Sequence, residues 1–373
     1  MAVVLALIVY GSAFPFDYVA HRASLDDLRL LARWPDEVSV VDAVGNALLF
    51  LPFGLLVPAL ARQRAAQVAW LAAGCGLAWM LQFGQFWFPA RDPSGSDAWF
   101  NCAGVLAGWL AGHAIRWLHQ RHAARLAAQP ADWPVAALLA LAWIVYRWFP
   151  LWPALDLQNY RHGWGPVFEN PRISWPQVLF EGAGWLLWFR AVRHAFWPAT
   201  RAPALGLAVL LVLVTEPVFP YSYLSVSALL GAAGALAVLL VWDAGGRRHA
   251  ALPLAAVVAL ALVASGLHAA PSPWWQGGAF IWLPFAGLLE GNMYGNTASL
   301  VAKSFAYGGL LWLLADLGLR WRTAALLVAG LLGWIEWSQL RIPGRTAEVT
   351  DPLLALLLAL VLRTLQRLAR RGG

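Results

Sequence analysis

The sequence predicts an all-α, polytopic helical membrane protein of about twelve transmembrane helices, arranged as three four-helix repeats. Three observations predict it. Hydrophobic residues make up 61% and charged residues 12% of the 373, against roughly 25% charged in a typical soluble domain. Apolar stretches of bilayer-crossing length recur along the whole chain. The polar residues between them return in the same order. So few charges cannot cover an aqueous surface, which excludes a soluble globule, a disordered chain and a disulfide scaffold. Cys75 and Cys102 lie inside apolar runs and read as small hydrophobes. They leave no framework of disulfides and no zinc cluster. The net charge of +7 is strung between apolar segments rather than gathered with aromatics, so no nucleic-acid partner is expected.

A span needs about 20 mostly apolar residues. The first, 2–16, has neither a basic leader nor a small-residue cleavage site before it and is expected to be retained. The others follow at 44–61, 67–84, 98–117, 133–149, 176–196, 202–217, 223–242, 250–268, 298–318, 322–340 and 351–367. Pro and Gly fall between them, as at Trp197-Pro198 and Gly245-Gly246. The 24 Trp read chiefly as interface anchors. With the N-terminus inside, short inner loops and the tail hold most of the basic residues, among them Arg116, Arg190, Arg193, Arg247, Arg248 and Arg320. Asp132, Asp243 and Asp316 are the acids expected inside. The positive-inside bias thus predicts a bacterial cytoplasmic membrane protein with both termini cytoplasmic.

The spans fall into units 1–125, 126–248 and 249–373, each with a long first loop and a short basic second loop. The second span of each carries Phe and Gly four apart, Phe50/Gly54, Phe180/Gly184 and Phe305/Gly309. Such a pair shares one helix face, and its Gly lets a neighbouring backbone approach. Because four is even, the units run parallel rather than inverted. After the third span, unit one reads Gln82-Phe-Gly-Gln85, Pro89, Arg91 and Asp97. Unit three reads Glu336-Trp-Ser-Gln339, Pro343, Arg345 and Asp351 at identical spacing. The middle unit has only Glu216-Pro-Val-Phe-Pro-Tyr.

This pattern of E/Q-x-x-Q, Pro, Arg and a helix-opening Asp resembles the VanZ-like membrane family. So does Asn46-x-x-x-Phe50-Leu-Pro52-Phe-Gly54 before it. The resemblance covers 40–115 well and 298–365 fairly, and reaches 133–242 only through span rhythm. The sequence departs from the pattern at Gln82, where an acid is usual, at Ala355, where unit one has Asn101, and at Lys303, where Asn is usual. The resemblance implies a membrane protein of the type named for low-level resistance to the glycopeptide teicoplanin, without an established reaction.

The candidate binding residues are Gln82, Gln85, Arg91, Asp97, Asn101, Glu336, Gln339, Arg345 and Asp351. Arg91 and Arg345 sit in outside turns, where a planar guanidinium can grip an anion bidentately. The expected function is non-enzymatic binding of a membrane lipid or lipid-linked anionic head group at the outer face. In the bland account, Asp97 and Asp351 cap helices and each Arg pairs with its own Asp to pin the turn. Two further alternatives are a transporter or flippase of an amphiphilic substrate, and an intramembrane enzyme using Glu336 or Glu216. His119 and His122, with His113 nearby, read as a headgroup-facing helix end. No metal spacing, phosphate loop or nucleophile elbow is present, and no cofactor is expected.

Overall fold

The computed structural model describes residues 1–34, 38, 40–121, 130–154, 156–196, 201–244, 251–269, 278–290 and 293–372. His122, Arg247, Arg248, Trp197, Pro198, Gly245 and Gly246 lie outside the described residues, as does the side chain of His119. The described chain is helical, with one isolated bridge between Ile281 and Glu348. It forms two compact units, Met1–Leu126 and Ala127–Gly373.

The N-terminal unit holds α1 (Ala2–Ala13), α2 (Leu25–Ala32), α3 (Val40–Leu60), α4 (Arg64–Gly84) and α5 (Gly95–Arg121). The helix α2 starts where Ser24 and Asp27 form a capping box, each side chain accepting the other's backbone N–H. This reciprocal pairing satisfies two otherwise orphaned donors. Helix α5 lies directly on α3 because Gly104, Gly108 and Gly112 present no side chain. A Cβ at those positions would stand 2.1, 2.1 and 2.8 Å from the carbonyl oxygens of Ala47, Leu51 and Leu55. Gly54 answers from α3, with Val105 O 1.9 Å from its would-be Cβ. Small-residue contact of this kind is how helices associate where lipid removes the hydrophobic driving force. At the opposite helix ends Gln67 donates to Ala61 O and accepts from Trp109 and His113, each at 2.9–3.0 Å.

The C-terminal unit holds α6 (Trp133–Arg147), α7 (Leu157–Phe168), α8 (Trp175–Ala195), α9 (Ala202–Thr215) and α10 (Val226–Ala244). It continues with α11 (Ala251–Gly266), α12 (Ala286–Leu289), α13 (Met293–Asp316), α14 (Trp321–Gln339) and α15 (Thr350–Gly372). One core runs through it, from Val135 on α6 to Leu362 on α15. Helix α8 is buried nearly all round between Glu181 and Ala195. Its last turn collects the three acids expected inside. Arg190 pairs with Asp316, Arg193 with Asp243, and His194 with Asp132. Cations in a last turn also meet the negative end of the helix dipole favourably.

Each expected span contains a helix, while α2, α7 and α12 occupy long first loops. Among the described residues, five helices are long and apolar enough to cross a membrane, over Asp42–Leu60, Arg64–Trp87, Val226–Asp243, Tyr294–Asp316 and Thr350–Arg370. The helices Ala2–Ala13, Trp133–Arg147 and Ala251–Gly266 are apolar but shorter, as is the apolar run Ala202–Val218.

Two expectations need correction. Trp143, Trp185 and Trp312 are fully buried in the C-terminal core and so are not interface anchors, whereas Trp175 and Trp337 are exposed. The Phe/Gly pairs are also not alike. Gly54 does face a backbone, whereas Gly184 faces the Trp143 ring and Gly309 the Leu187 side chain.

Candidate functional site

In the N-terminal unit the chain leaves α4 through a tight turn at Gln85–Trp87 and re-enters helix at Gly95. The last turn of α1 leaves carbonyls that no intrahelical N–H can reach, and polar side chains of this turn take them. Gln85 Nε2 donates to Ser12 O at 3.3 Å. Arg91 donates through Nε to Phe14 O at 2.7 Å and through Nη2 to Gly11 O at 2.6 Å. The fixed fork of guanidinium donors suits two carbonyls at once. Burial draws the Arg91 pKa below its ordinary value, against the pull of Asp17. Gln82 Oε1 accepts the backbone N–H of Ser94 at 3.1 Å. Asp97, in the first turn of α5, has the Asn46 side chain of α3 as a polar neighbour. Asn101 Oδ1 is buried without a hydrogen-bond partner among the described residues.

The C-terminal unit repeats these bonds at one constant offset in residue number. Gln339 Nε2 donates to Gly266 O at 3.1 Å. Arg345 donates through Nε to His268 O at 2.9 Å and through Nη2 to Ser265 O at 2.5 Å. Glu336 Oε2 accepts the backbone N–H of Glu348 at 2.8 Å. Around this shared frame the chemistry changes. Asp351 accepts from Lys303 Nζ at 2.7 Å and from Tyr307 OH at 2.6 Å. Thr350 Oγ1 donates to Glu348 at 2.9 Å and accepts the N–H of Phe285 at 2.7 Å. Lys303 and Tyr307 stand one turn apart on α13, so one face of that helix serves a single carboxylate. Ile281 pairs its backbone with Ala347 and Val349, which seats the Trp282-Leu-Pro-Phe segment against the turn. A cavity of about 240 Å³ opens here, with Lys303, Glu348 and Asp351 beside Leu288, Leu300 and Leu354.

The turn after α9 keeps the frame in part. Ser222 Oγ donates to Phe149 O at 3.1 Å, and Phe149 precedes Pro150 as Phe14 precedes Pro15. Where Gln85 and Gln339 reach a carbonyl, Glu216 instead meets the Arg147 side chain at the end of α6. Arg147 Nη1 also binds Glu181 at 2.6 Å, and its guanidinium lies over the Trp143 and Trp185 rings. All three charged residues are at most 7% exposed. Isolated buried charges are costly enough that pairing is the rule.

One comparison bears on the N-terminal unit. Residues 1–116 match the family profile described as VanZ/LLP1. This part of the chain is similar to that family. The matched residues span α1 to most of α5 and so include the whole Gln82–Asp97 turn with the α1 carbonyls it ties down. No curated protein and no solved structure gave a significant match.

Of the expected binding residues, the VanZ-like unit gathers Gln82, Gln85, Arg91 and Asp97 at one turn, and the C-terminal unit gathers Glu336, Gln339, Arg345 and Asp351. Their partners differ from the bland account. Arg91 and Arg345 spend donors on helix-end carbonyls rather than on their own Asp. Asp351 binds Lys303 and Tyr307 from another helix. Sequence reasoning passed over Glu348, Thr350, Tyr307 and the Arg147–Glu181–Glu216 cluster. One signal for them was legible: Lys303 and Tyr307 at i,i+4 in an otherwise apolar span, where an ionisable residue needs a partner.

Proposed function

We propose that this VanZ-like chain is a non-enzymatic, multi-pass protein of the bacterial cytoplasmic membrane, both termini inside, that binds the head group of a lipid or lipid-linked molecule at its outer face. The observation that carries the reading is the cavity beside Lys303. It sets polar side chains from α13, α15 and the turn between α14 and α15 against three leucines, the combination an amphiphile needs. Lys303 supplies the positive charge for a phosphate, in place of the guanidinium groups first expected to do so. The common hydrogen-bond frame of the two turns supports descent of 1–125 and 249–373 from one four-helix unit, with 126–248 as a diverged copy. By occupying lipid head groups the protein would alter susceptibility to glycopeptide antibiotics.

The test is lipid retention by the full chain, measured by native mass spectrometry after purification in mild detergent. Lys303→Met and Asp351→Asn should each lower retention about tenfold while thermal unfolding stays cooperative. Retention equal to wild type in both variants sinks the reading. Sidedness is tested with Asp92→Cys and Pro343→Cys in a chain whose own cysteines are replaced by serine. Both positions should react with impermeant reagents added from outside.

The transporter alternative has one observation in its favour. Arg147, Glu181 and Glu216 form a buried ionisable cluster inside the helix bundle, a feature of ion-coupled carriers. Gradient-driven solute uptake in proteoliposomes, lost in Glu181→Gln, would replace the binding reading.

A further inference from the structure

The two turns pose a question about charge. Gln82 and Ser94 build the N-terminal frame without any charge, since Gln82 Oε1 accepts the Ser94 N–H. Glu336 and Glu348 build the same frame with two carboxyl groups, Glu336 accepting the Glu348 N–H. The frame therefore does not require the acids, and acids near apolar helices cost free energy. Asp351 adds a third carboxyl group, and Lys303 is its salt-bridge partner at 2.7 Å. Three carboxyl groups thus face one ammonium, and that ammonium is already paired with Asp351.

The carboxyl groups gather on one side of the cavity wall. Glu348, Asp351 and Thr350 bring acceptor oxygens to it, Lys303, Asn296 and Ser299 bring donors from α13, and the Leu300 and Leu354 side chains lie alongside. A guest that answers this wall carries positive charge, donates several hydrogen bonds and continues into methylene groups. A metal ion answers it less well. Among the described residues, no three His, Cys, Asp or Glu side chains stand in an arrangement that could hold a metal.

We propose that the cavity beside Glu348 and Asp351 holds the protonated primary amine of an amphiphile, with Lys303 directed at the neighbouring phosphate when that amphiphile is a zwitterionic phospholipid. This rests on the head-group reading of the same cavity and adds the charge of the group recognised. The carboxylates of Glu348 and Asp351 accept two N–H bonds. Trimethylation of the amine would remove every donor and enlarge the group, so a choline head group is a poor guest.

The experiment places the full chain in nanodiscs of neutral carrier lipid and titrates three lipids, phosphatidylethanolamine, phosphatidylcholine and phosphatidylglycerol, reading bound lipid by native mass spectrometry. Phosphatidylethanolamine should bind about tenfold tighter than either of the others. In Glu348→Gln, which keeps the N–H to Glu336 and an acceptor for Thr350, that preference should fall to within about twofold while thermal unfolding is unchanged. Soluble ethanolamine as competitor separates the two sources of the amine. Displacement of lipid shows that the free amine suffices, and no displacement shows that it must be lipid-borne. Equal or tighter binding of phosphatidylglycerol at the cavity overturns the amine while leaving the head-group reading intact. An ethanolamine preference that survives Glu348→Gln also overturns it, because the selectivity then lies elsewhere. Failure of all three lipids to bind sinks the head-group reading itself.

Discussion

The turn of the VanZ-like unit and its counterpart in the C-terminal unit are held by the same bonds and differ in what surrounds them. Arg91 and Arg345 each clasp two carbonyls at a helix end, and Gln85 and Gln339 each clasp a third. The N-terminal turn then finishes its hydrogen bonding with Gln82 and Ser94, the C-terminal one with Glu336 and Glu348. What recurs is therefore the device that closes the turn. What changes is the charge that the closed turn displays. Residues shared by both turns belong to the architecture, and residues peculiar to one are where a ligand should be sought. On that ground Arg91 and Arg345, the most conspicuous residues of the motif, hold the turn, while Lys303 and Glu348, whose charges the N-terminal turn lacks, are the candidates for recognition, together with Asp351, whose partners Lys303 and Tyr307 are peculiar to the C-terminal unit.

The largest effect should come from the turn that keeps least of this device. Removing the guanidinium in Arg147→Met leaves Glu181 and Glu216 buried without their partner, at a cost of about 3–5 kcal/mol. Thermal unfolding in detergent should show it. Adding Glu181→Gln and Glu216→Gln to the same chain should recover most of the loss, and no recovery would mean that the cation is not what balances the pair. Next come Arg91→Ala and Arg345→Ala, each stranding two carbonyls at about 1–3 kcal/mol apiece. Similar losses in the two variants would support one shared frame; a large loss in only one would break the comparison.

The exchange between the turns should be asymmetric. Gln82→Glu brings a carboxyl group to a site with no equivalent of Lys303 and should cost about 1–3 kcal/mol. Glu336→Gln restores the N-terminal chemistry around the same N–H and should change stability by no more than about 0.5 kcal/mol. Unfolding midpoints of the two variants decide this. The smallest effect concerns α2, which the VanZ-like unit has in its first loop. Its Asp27 carboxyl has a lowered pKa, chiefly through the His21 hydrogen bond and then the Ser24 N–H. A lowered folded value means that the contribution is complete above the unfolded-state pKa and disappears as pH falls through the folded one. Fraying of α2 should thus appear only at pH below the ordinary range of aspartate, as followed by NMR of Asp27 and Leu28. Fraying that begins near neutrality would show that the Asp27 carboxyl is not the group in control.

Much of the helical layout was legible because membrane helices announce themselves in composition. A run such as Val226–Ala244 has only one reasonable state in lipid, where every backbone N–H and C=O must be bonded within its own helix. The turn motif was legible because its spacing is local, with Gln82 to Asp97 closed within one connection. The short helices α2 and α7 were not read, since their apolar residues are few and a capping box such as Ser24–Asp27 is a weak signal without a long run behind it. The partners of Arg91 were not legible either. They are backbone oxygens of α1, and a carbonyl at a helix end has no side-chain signature in the sequence. The buried Trp143, Trp185 and Trp312 were likewise indistinguishable from interfacial ones, because Trp suits both places.

By itself the sequence determined that this chain is helical, apolar and built on a recurring Gln/Glu–Arg–Asp turn, with a VanZ-like stretch at its start. Those properties follow from composition and from spacings within a few turns of helix. Only the tertiary structure decided which of the polar residues are spent on holding the fold and which face an open cavity. Both kinds look the same along the chain, and the difference lies in partners such as Phe14 O for Arg91 and Tyr307 for Asp351, which come close only when helices distant in sequence pack side by side.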